Sequence, residues 1–308
     1  MHTLTSAAVS TGLAGAGAVA YGSLVERNAF TLRRYVLPVL PVGRGPIDVL
    51  HLADAHLLPT QRRKRAWISS LAELEPDAVI NTGDNIAHPE SIGPLMEALE
   101  PFRGLPGAFV LGSNDYFAPG RKNPVDYLVR KKPKPRTPRL PTDVLVGELR
   151  DSGWVDLTNA RGRMSVRGLD VELVGVDDPH LHYDRYDEVA GPADPRADLT
   201  MGVVHAPYTR VLDAMTADGA DLVLAGHTHG GQLAVPFYGA IVTNCDIDRQ
   251  RVKGVSRWWP GANGVDSAQA PDDAAWLHVS AGLGTSPYAP IRFACRPEAS
   301  LLTLVPRP

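Results

Sequence analysis

Five short aliphatic runs punctuate the chain, and each stops abruptly at polar residues. Ile47 to Ala53 ends at Asp54 and His56, Ala78 to Asn81 at Gly83-Asp84, and Ala108 to Leu111 at Gly112-Ser113-Asn114-Asp115. Met201 to Val204 ends at His205, and Asp221 to Ala225 at Gly226-His227-Thr228-His229. Runs of this length and aliphatic content, bounded by glycine and proline, predict buried strands. Helices are predicted between them, over about Gln61 to Leu74 ahead of the breaker Pro76-Asp77, and near Ser91 to Leu99. In α/β sheets, loops leaving the carboxyl ends of strands converge, so five polar clusters far apart in sequence are expected at one place. Gly83, Gly112 and Gly226 stand where the chain must turn sharply out of a strand.

Leu169 to Asp177 alternates as a further strand. The C-terminal third has little helical pattern but carries strand-like runs at Gly231 to Val235, Trp276 to Ser280 and Leu301 to Val305. These predict a second, more antiparallel sheet packed on the first. The expected fold is therefore α/β, a two-sheet β-sandwich flanked by helices in four layers, α over β over β over α. Residues 1–45 read as an apolar segment and a linker marked by Pro38, Pro41, Gly43, Gly45 and Pro46. Residues 46–306 read as the main domain, interrupted by a basic, proline-rich insertion at 119–141.

Composition adds limits. The 308 residues, 44% hydrophobic and 21% charged, suit a soluble protein with a large core. Leu4 to Val25 holds no charged residue and is long enough to cross a bilayer, but it is poor in Leu, Ile and Phe. Ala18-Val19-Ala20 resembles a signal-peptidase site, although no Lys or Arg precedes it. A weak membrane anchor, a docked helix and an export signal all stay open. If the segment inserts, Arg27, Arg33 and Arg34 place the main domain at the cytoplasmic face.

The net charge of -3 conceals a basic stretch, Arg121 to Arg139, with eight Lys/Arg against Asp126 alone. A solvated loop and an anion-attracting cap both fit it. It is not interleaved with aromatics as a single-strand track would be, so no nucleic-acid partner is expected. Cys245 and Cys295 lie in no metal-ligand spacing and read as two partly buried thiols.

Each polar cluster alone is commonplace; their order is not. Carboxylate, amide and imidazole donors without thiolate suit Mn, Fe or Zn. The series Asp54-x-His56, Gly83-Asp84, Gly112 to Asp115, His205 and Gly226-His227-Thr228-His229 resembles the calcineurin-like metallophosphoesterase superfamily. That superfamily carries D-x-H, G-D, G-N-H-D/E, H and G-H-x-H. Gly226 to Gln232, reading G-H-T-H-G-G-Q, is similar to a bacterial, often membrane-associated branch, as is the tail Gly282 to Ser286 with Arg292 and Pro297-Glu298.

The resemblance implies two divalent or trivalent ions (Mn, Fe or Zn). Asp54, His56, Asp84 and His229 would hold the first, and Asp84, Asn114, His205 and His227 the second, with Asp84 as the bridge. It implies hydrolysis of a phosphodiester or pyrophosphate by a hydroxide held between the metals, in line and without a covalent enzyme intermediate. The expected substrate is a lipid-linked or nucleotide phosphoester, with weak association to a membrane surface.

One motif departs from the pattern. Against G-N-H-D this chain has Gly112-Ser113-Asn114-Asp115. Either Ser113 takes the ligand's place and Asn114 the histidine's, or the turn shifts by one and Asn114 remains the ligand. Neither leaves a histidine to protonate the leaving group, so Asp84, Asn114 and Asp115 form the expected catalytic set. Asp115, water or a metal would then be the proton source. The altered turn also admits a catalytically weak, metal-bearing interaction scaffold. Gly175 to His180 ends another strand, where His180 and His182 are either substrate contacts or part of a solvated turn.

Overall fold

The computed structural model describes residues 15–120, 138–235 and 238–308. Most of the basic stretch and the first residues of the uncharged N-terminal segment therefore lie outside the described residues. In chain order the strands are β1 (Thr31–Leu40), β2 (Ile47–Leu52), β3 (Ala78–Asn81), β4 (Gly107–Phe109), β5 (Val155–Asp156), β6 (Ala160–Val166) and β7 (Leu169–Gly175). They continue with β8 (Leu199–Val204), β9 (Leu222–Ala225), β10 (Ala234–Val235), β11 (Gly239–Ala240), β12 (Gly254–Trp258), β13 (Ala275–Val279) and β14 (Glu298–Pro306). One six-stranded sheet runs β1-β14-β2-β3-β4-β5 and the other β12-β13-β9-β8-β7-β6, while β10 and β11 form a small hairpin.

Successive strand residues face opposite sides, which is why fully buried strands read as continuous aliphatic runs. Val49, Ile80 and Ala108 of the first sheet share the core between the sheets with Val171, Met201 and Leu224 of the second. Leu50, Val79 and Phe109 face outward onto the helices Arg62–Ser70, Ile92–Leu99 and Thr142–Asp151. Val204, Val223 and Leu277 pack with Leu212 and Met215 of the helix Thr209–Ala217. The expected four layers result.

Topology differs from expectation in four places. The run Gly231 to Val235 keeps only the two residues of β10, in the separate hairpin rather than in the second sheet. The second sheet is parallel through its centre, from β7 across β8 and β9 to β13, and antiparallel only at its edges β6 and β12. The helix Thr209–Ala217 crosses over between β8 and β9, and such a crossover returns the chain parallel. The run Leu301 to Val305 joins the first sheet instead, antiparallel to β2. The stretch read as a linker contributes β1, which closes that sheet parallel to β14.

Candidate metal centre

Asp54 follows β2, Asp84 follows β3 and Gly112 follows β4, while His205 and His227 follow β8 and β9 of the other sheet. Both sheets present these carboxyl ends at one rim, and all five clusters meet there. Asp54, His56, Asp84, His205, His227 and His229 are all buried. Five of them, Asp54, His56, Asp84, His227 and His229, hold left-handed φ values between 40° and 68°. Non-glycine residues rarely adopt this region, at a cost of about 1–3 kcal/mol each, and such strain gathers where side chains must be aimed.

The aim is specific. Nε2 of His56 and Nε2 of His229 face each other at 3.1 Å, and Nδ1 of His227 faces Nε2 of His205 at 3.3 Å. Asp84 lies between the pairs, Oδ2 3.4 Å from His56 and Oδ1 3.6 Å from His205. Asp54 Oδ1 stands 3.8 Å from His229. Ligand atoms of Asp54, His56 and His229 lie within 4.8 Å of one another, as do those of Asp54, Asp84 and His205. Nitrogen facing nitrogen among buried side chains, with carboxylates alongside, is a set of Lewis donors without an acceptor, and it fits a dinuclear metal site that these Asp and His residues would hold.

Electrostatics agree with that geometry. Burial pushes the Asp54 carboxyl up, with His205 opposing and Asp84 adding to the rise. For Asp84 burial also acts upward, but His205, His56 and the Asn114 hydrogen bonds carry it well below the usual range. Burial holds His56 down to about 4 and His227 and His229 well below an ordinary imidazole. These rings are therefore neutral, as metal ligation requires. His205 behaves oppositely: burial would lower it, but Asp84, Asp178 and Asp54 raise it to about 9.

At the altered turn Asn114, and not Ser113, hydrogen-bonds Asp84. Its backbone N–H donates to Asp84 Oδ1 at 2.6 Å and its amide donates to Asp84 Oδ2 at 2.7 Å. Ser113 is buried at the start of the short helix Ser113–Tyr116 and makes no such contact. The geometry does not fit the proton-donor role expected of Asp115. Its Oδ1 accepts from the Asn85 N–H, and its Oδ2 accepts from the Gly112 N–H and the Asn85 amide, at 2.8–3.2 Å. A carboxylate so engaged fixes the turn rather than serving the leaving group.

The calcineurin-like phosphoesterase model matches residues 47–231, which include every one of these side chains. The chain belongs to this family. It is accordingly a metal-dependent hydrolase of phosphoester bonds. It is similar to the uncharacterized metallophosphoesterase YkuE of Bacillus subtilis, 24% identical with 94% of each chain covered. It is also similar to the phosphodiesterase YaeI of Escherichia coli, 25% identical with 92% of each covered. Among solved structures it resembles a 5'-nucleotidase precursor from Thermus thermophilus, 11% identical at a TM-score of 0.41, covering 84% of this chain and 55% of that one.

Around the ligands of this phosphoesterase lie residues that sequence patterning did not single out. The Thr82 carbonyl sits 2.7 Å from His205 Nδ1 and accepts its proton, which leaves Nε2 for a metal. Lys64, buried within a run of basic residues that looks like a surface face, donates to the Ala55 carbonyl at 2.6 Å. Arg292, noted above only as part of a similar tail, is fully buried. It donates to the carbonyls of Ala281, Gly282 and Gly284 at 2.7–2.9 Å and lies 3.2 Å from His229 Nδ1. His180 is half-buried, its ring 4.5 Å from that of His227 and its Nδ1 3.1 Å from the Tyr208 hydroxyl. His182 is exposed, in a left-handed turn. The two cysteines are free and buried.

Proposed function

We propose that this phosphoesterase cleaves a phosphodiester or pyrophosphate bond on a lipid-linked or nucleotide substrate, using two ions of Mn, Fe or Zn. The observation that carries the reading is Asp84, whose two oxygens each face a histidine from a different half of the site. The ions, when bound, polarise the phosphoryl oxygens and make hydroxide available near neutral pH. Asp54, His56, Asp84 and His229 would hold one, and Asp84, Asn114, His205 and His227 the other. Asn114 orients the bridging carboxylate through two hydrogen bonds, and Thr82 fixes the His205 tautomer.

The choice of substrate follows from the turn. No histidine occupies Gly112 to Asp115, and Asp115 is committed to three N–H donors. Leaving groups that depart without a strong proton donor, such as phosphates and acidic alcohols, are favoured over simple alkoxides. The lipid-linked version draws support from the uncharged stretch Leu4 to Val25, and Arg27, Arg33 and Arg34 behind it are the ground on which we place the enzyme at the cytoplasmic surface of a membrane. Among the described residues no helix is long and apolar enough to cross one. The test is a panel of phospholipid, nucleotide-sugar and cyclic-nucleotide phosphoesters alongside simple alkyl phosphates, assayed with Mn. Turnover of the alkyl phosphates at rates comparable to the others would count against the reading.

A further inference from the structure

Exposed large apolar side chains are concentrated on one face. Among the described residues they cluster in the N-terminal helical segment and around the β10–β11 hairpin. Residues 15–20 are helical and run into a wider turn, Tyr21–Val25. This segment is seated through Gly22 and Glu26, four residues apart and so on one side. A Cβ on Gly22 would lie 2.6 Å from the Arg292 carbonyl oxygen, and the Glu26 carboxylate accepts the N–H groups of Ala294 and Cys295. That seating leaves Leu24 and Val25 outward, 69% and 55% exposed.

The Tyr21 ring meets Phe293 edge-on, and Phe293 pairs in turn with Leu233 at the root of the hairpin. There Val235, Tyr238 and Ile241 are again exposed. Phe293 thus joins two apolar edges into one surface. Beneath it opens a cavity of about 400 Å³ lined by Tyr21, Glu26, Arg33, Lys253, Phe293, Ala294 and Arg296. Its acidic groups are already engaged: Glu26 by two backbone donors, and Glu298 nearby by Arg33 and the Ala281 N–H. Lys253 and Arg296 are exposed, and neither pairs with a carboxylate among the described residues.

An apolar rim around cations that meet no carboxylate among the described residues, Lys253 reaching the Cys295 sulfur at 3.8 Å, matches a bilayer surface that presents acyl chains at its margin and phosphate at its plane. The chain leading into this face also has no charge from Leu4 onward. We propose that the protein rests on an anionic lipid bilayer by this face, with the cavity between Lys253 and Arg296 taking a phosphate headgroup. The Cys295 thiol donates to the carbonyl of His229 at 3.2 Å, so the cavity wall backs directly onto the loop of the first metal. Docking there sets the metal centre beside the membrane. The inference deepens the lipid version of the proposed function, and its test keeps the two apart.

The test is co-sedimentation of the full chain with phosphatidylglycerol-containing and pure phosphatidylcholine vesicles. The parent protein should prefer the anionic vesicles. K253E/R296E should weaken that binding by about tenfold or more, given about 1 kcal/mol per basic residue near such a surface. Y238D should weaken binding to both kinds of vesicle, with circular dichroism confirming that each variant is folded. D84N should bind like the parent, so that loss of turnover and loss of docking are read separately. Equal binding to neutral vesicles, unchanged binding by K253E/R296E, or thermal stabilisation by inorganic phosphate without vesicle binding would each overturn the proposal.

Discussion

Gly112→Ala adds a single methyl group to the wall of the metal centre. Gly112 has φ −111° and ψ 173°, a conformation alanine adopts freely, so backbone strain does not enter. The added Cβ would fall 2.3 Å from Asp84 Oδ1, 2.6 Å from His205 Cε1 and 2.7 Å from the Asp84 nitrogen. Ordinary contact distances are about 3.5 Å, so the Asp84 carboxylate must retreat by roughly 1 Å. A displacement of that size at a reacting centre costs about 10²-fold in rate, and overpacking costs about 1–3 kcal/mol of stability.

The assay is turnover of bis(4-nitrophenyl) phosphate with Mn, metal content per chain, and thermal unfolding of the metal-free protein. Gly93→Ala is the control. Gly93 lies in the helix Ile92–Leu99 with nothing within 4 Å of its would-be Cβ, and its replacement should stabilise by up to about 1 kcal/mol without changing turnover. If Gly112→Ala keeps both metals and a kcat within about threefold of the parent, the tight bridging geometry is refuted.

Three further outcomes follow from the same geometry. Asp115→Ala leaves the N–H groups of Asn85 and Gly112 buried without acceptors. It should lower stability by about 2–4 kcal/mol in urea and reduce binding of the second metal, whereas a proton donor's loss would spare both. Arg292→Met strips the Ala281 and Gly284 carbonyls of their donor, Gly282 keeping the Glu298 N–H, and should cost at least about 3 kcal/mol while lowering occupancy of the first metal, read by elemental analysis. In EDTA, stability should fall as pH rises from about 6 to 7 and change little from 7 to 9, where Lys64, lowered to about 7 chiefly by burial, stabilises increasingly as pH rises toward 10.5 and offsets the loss from His205. His205, raised to about 9, stabilises fully below 6.5 and loses that contribution through 9. Asp54, Asp115 and Asp178, raised to about 7 chiefly by burial, stabilise fully below 3.8 and lose it through 7. His56, lowered to about 4, acts oppositely, its contribution present above 6.5 and lost as pH falls through 4. A flat urea-midpoint profile from pH 6 to 7 in EDTA would contradict these assignments.

Strand ends and their ligands were legible along the chain because a buried strand must be apolar throughout, so Asp54, Asp84, His205 and His227 stand out where each run stops. The helix over about Gln61 to Leu74 followed from the breaker behind it, whereas the helices Thr142–Asp151 and Thr209–Ala217 were not read from the chain. Sheet membership was not legible: Leu301 to Val305 reads as a strand wherever it pairs, and only long-range register places it between β1 and β2. The choice between Ser113 and Asn114, and the commitment of Asp115 to backbone donors, depend on Asp84 and Asn85 from the neighbouring strand end. Arg292 and Lys64 resemble surface charges in one dimension, because burial of a cation is decided by which carbonyls surround it. Local sequence determined the elements and most of the donor atoms. Tertiary packing decided what each donor faces, because hydrogen bonds, burial and field are set by neighbours that the chain brings in from far away.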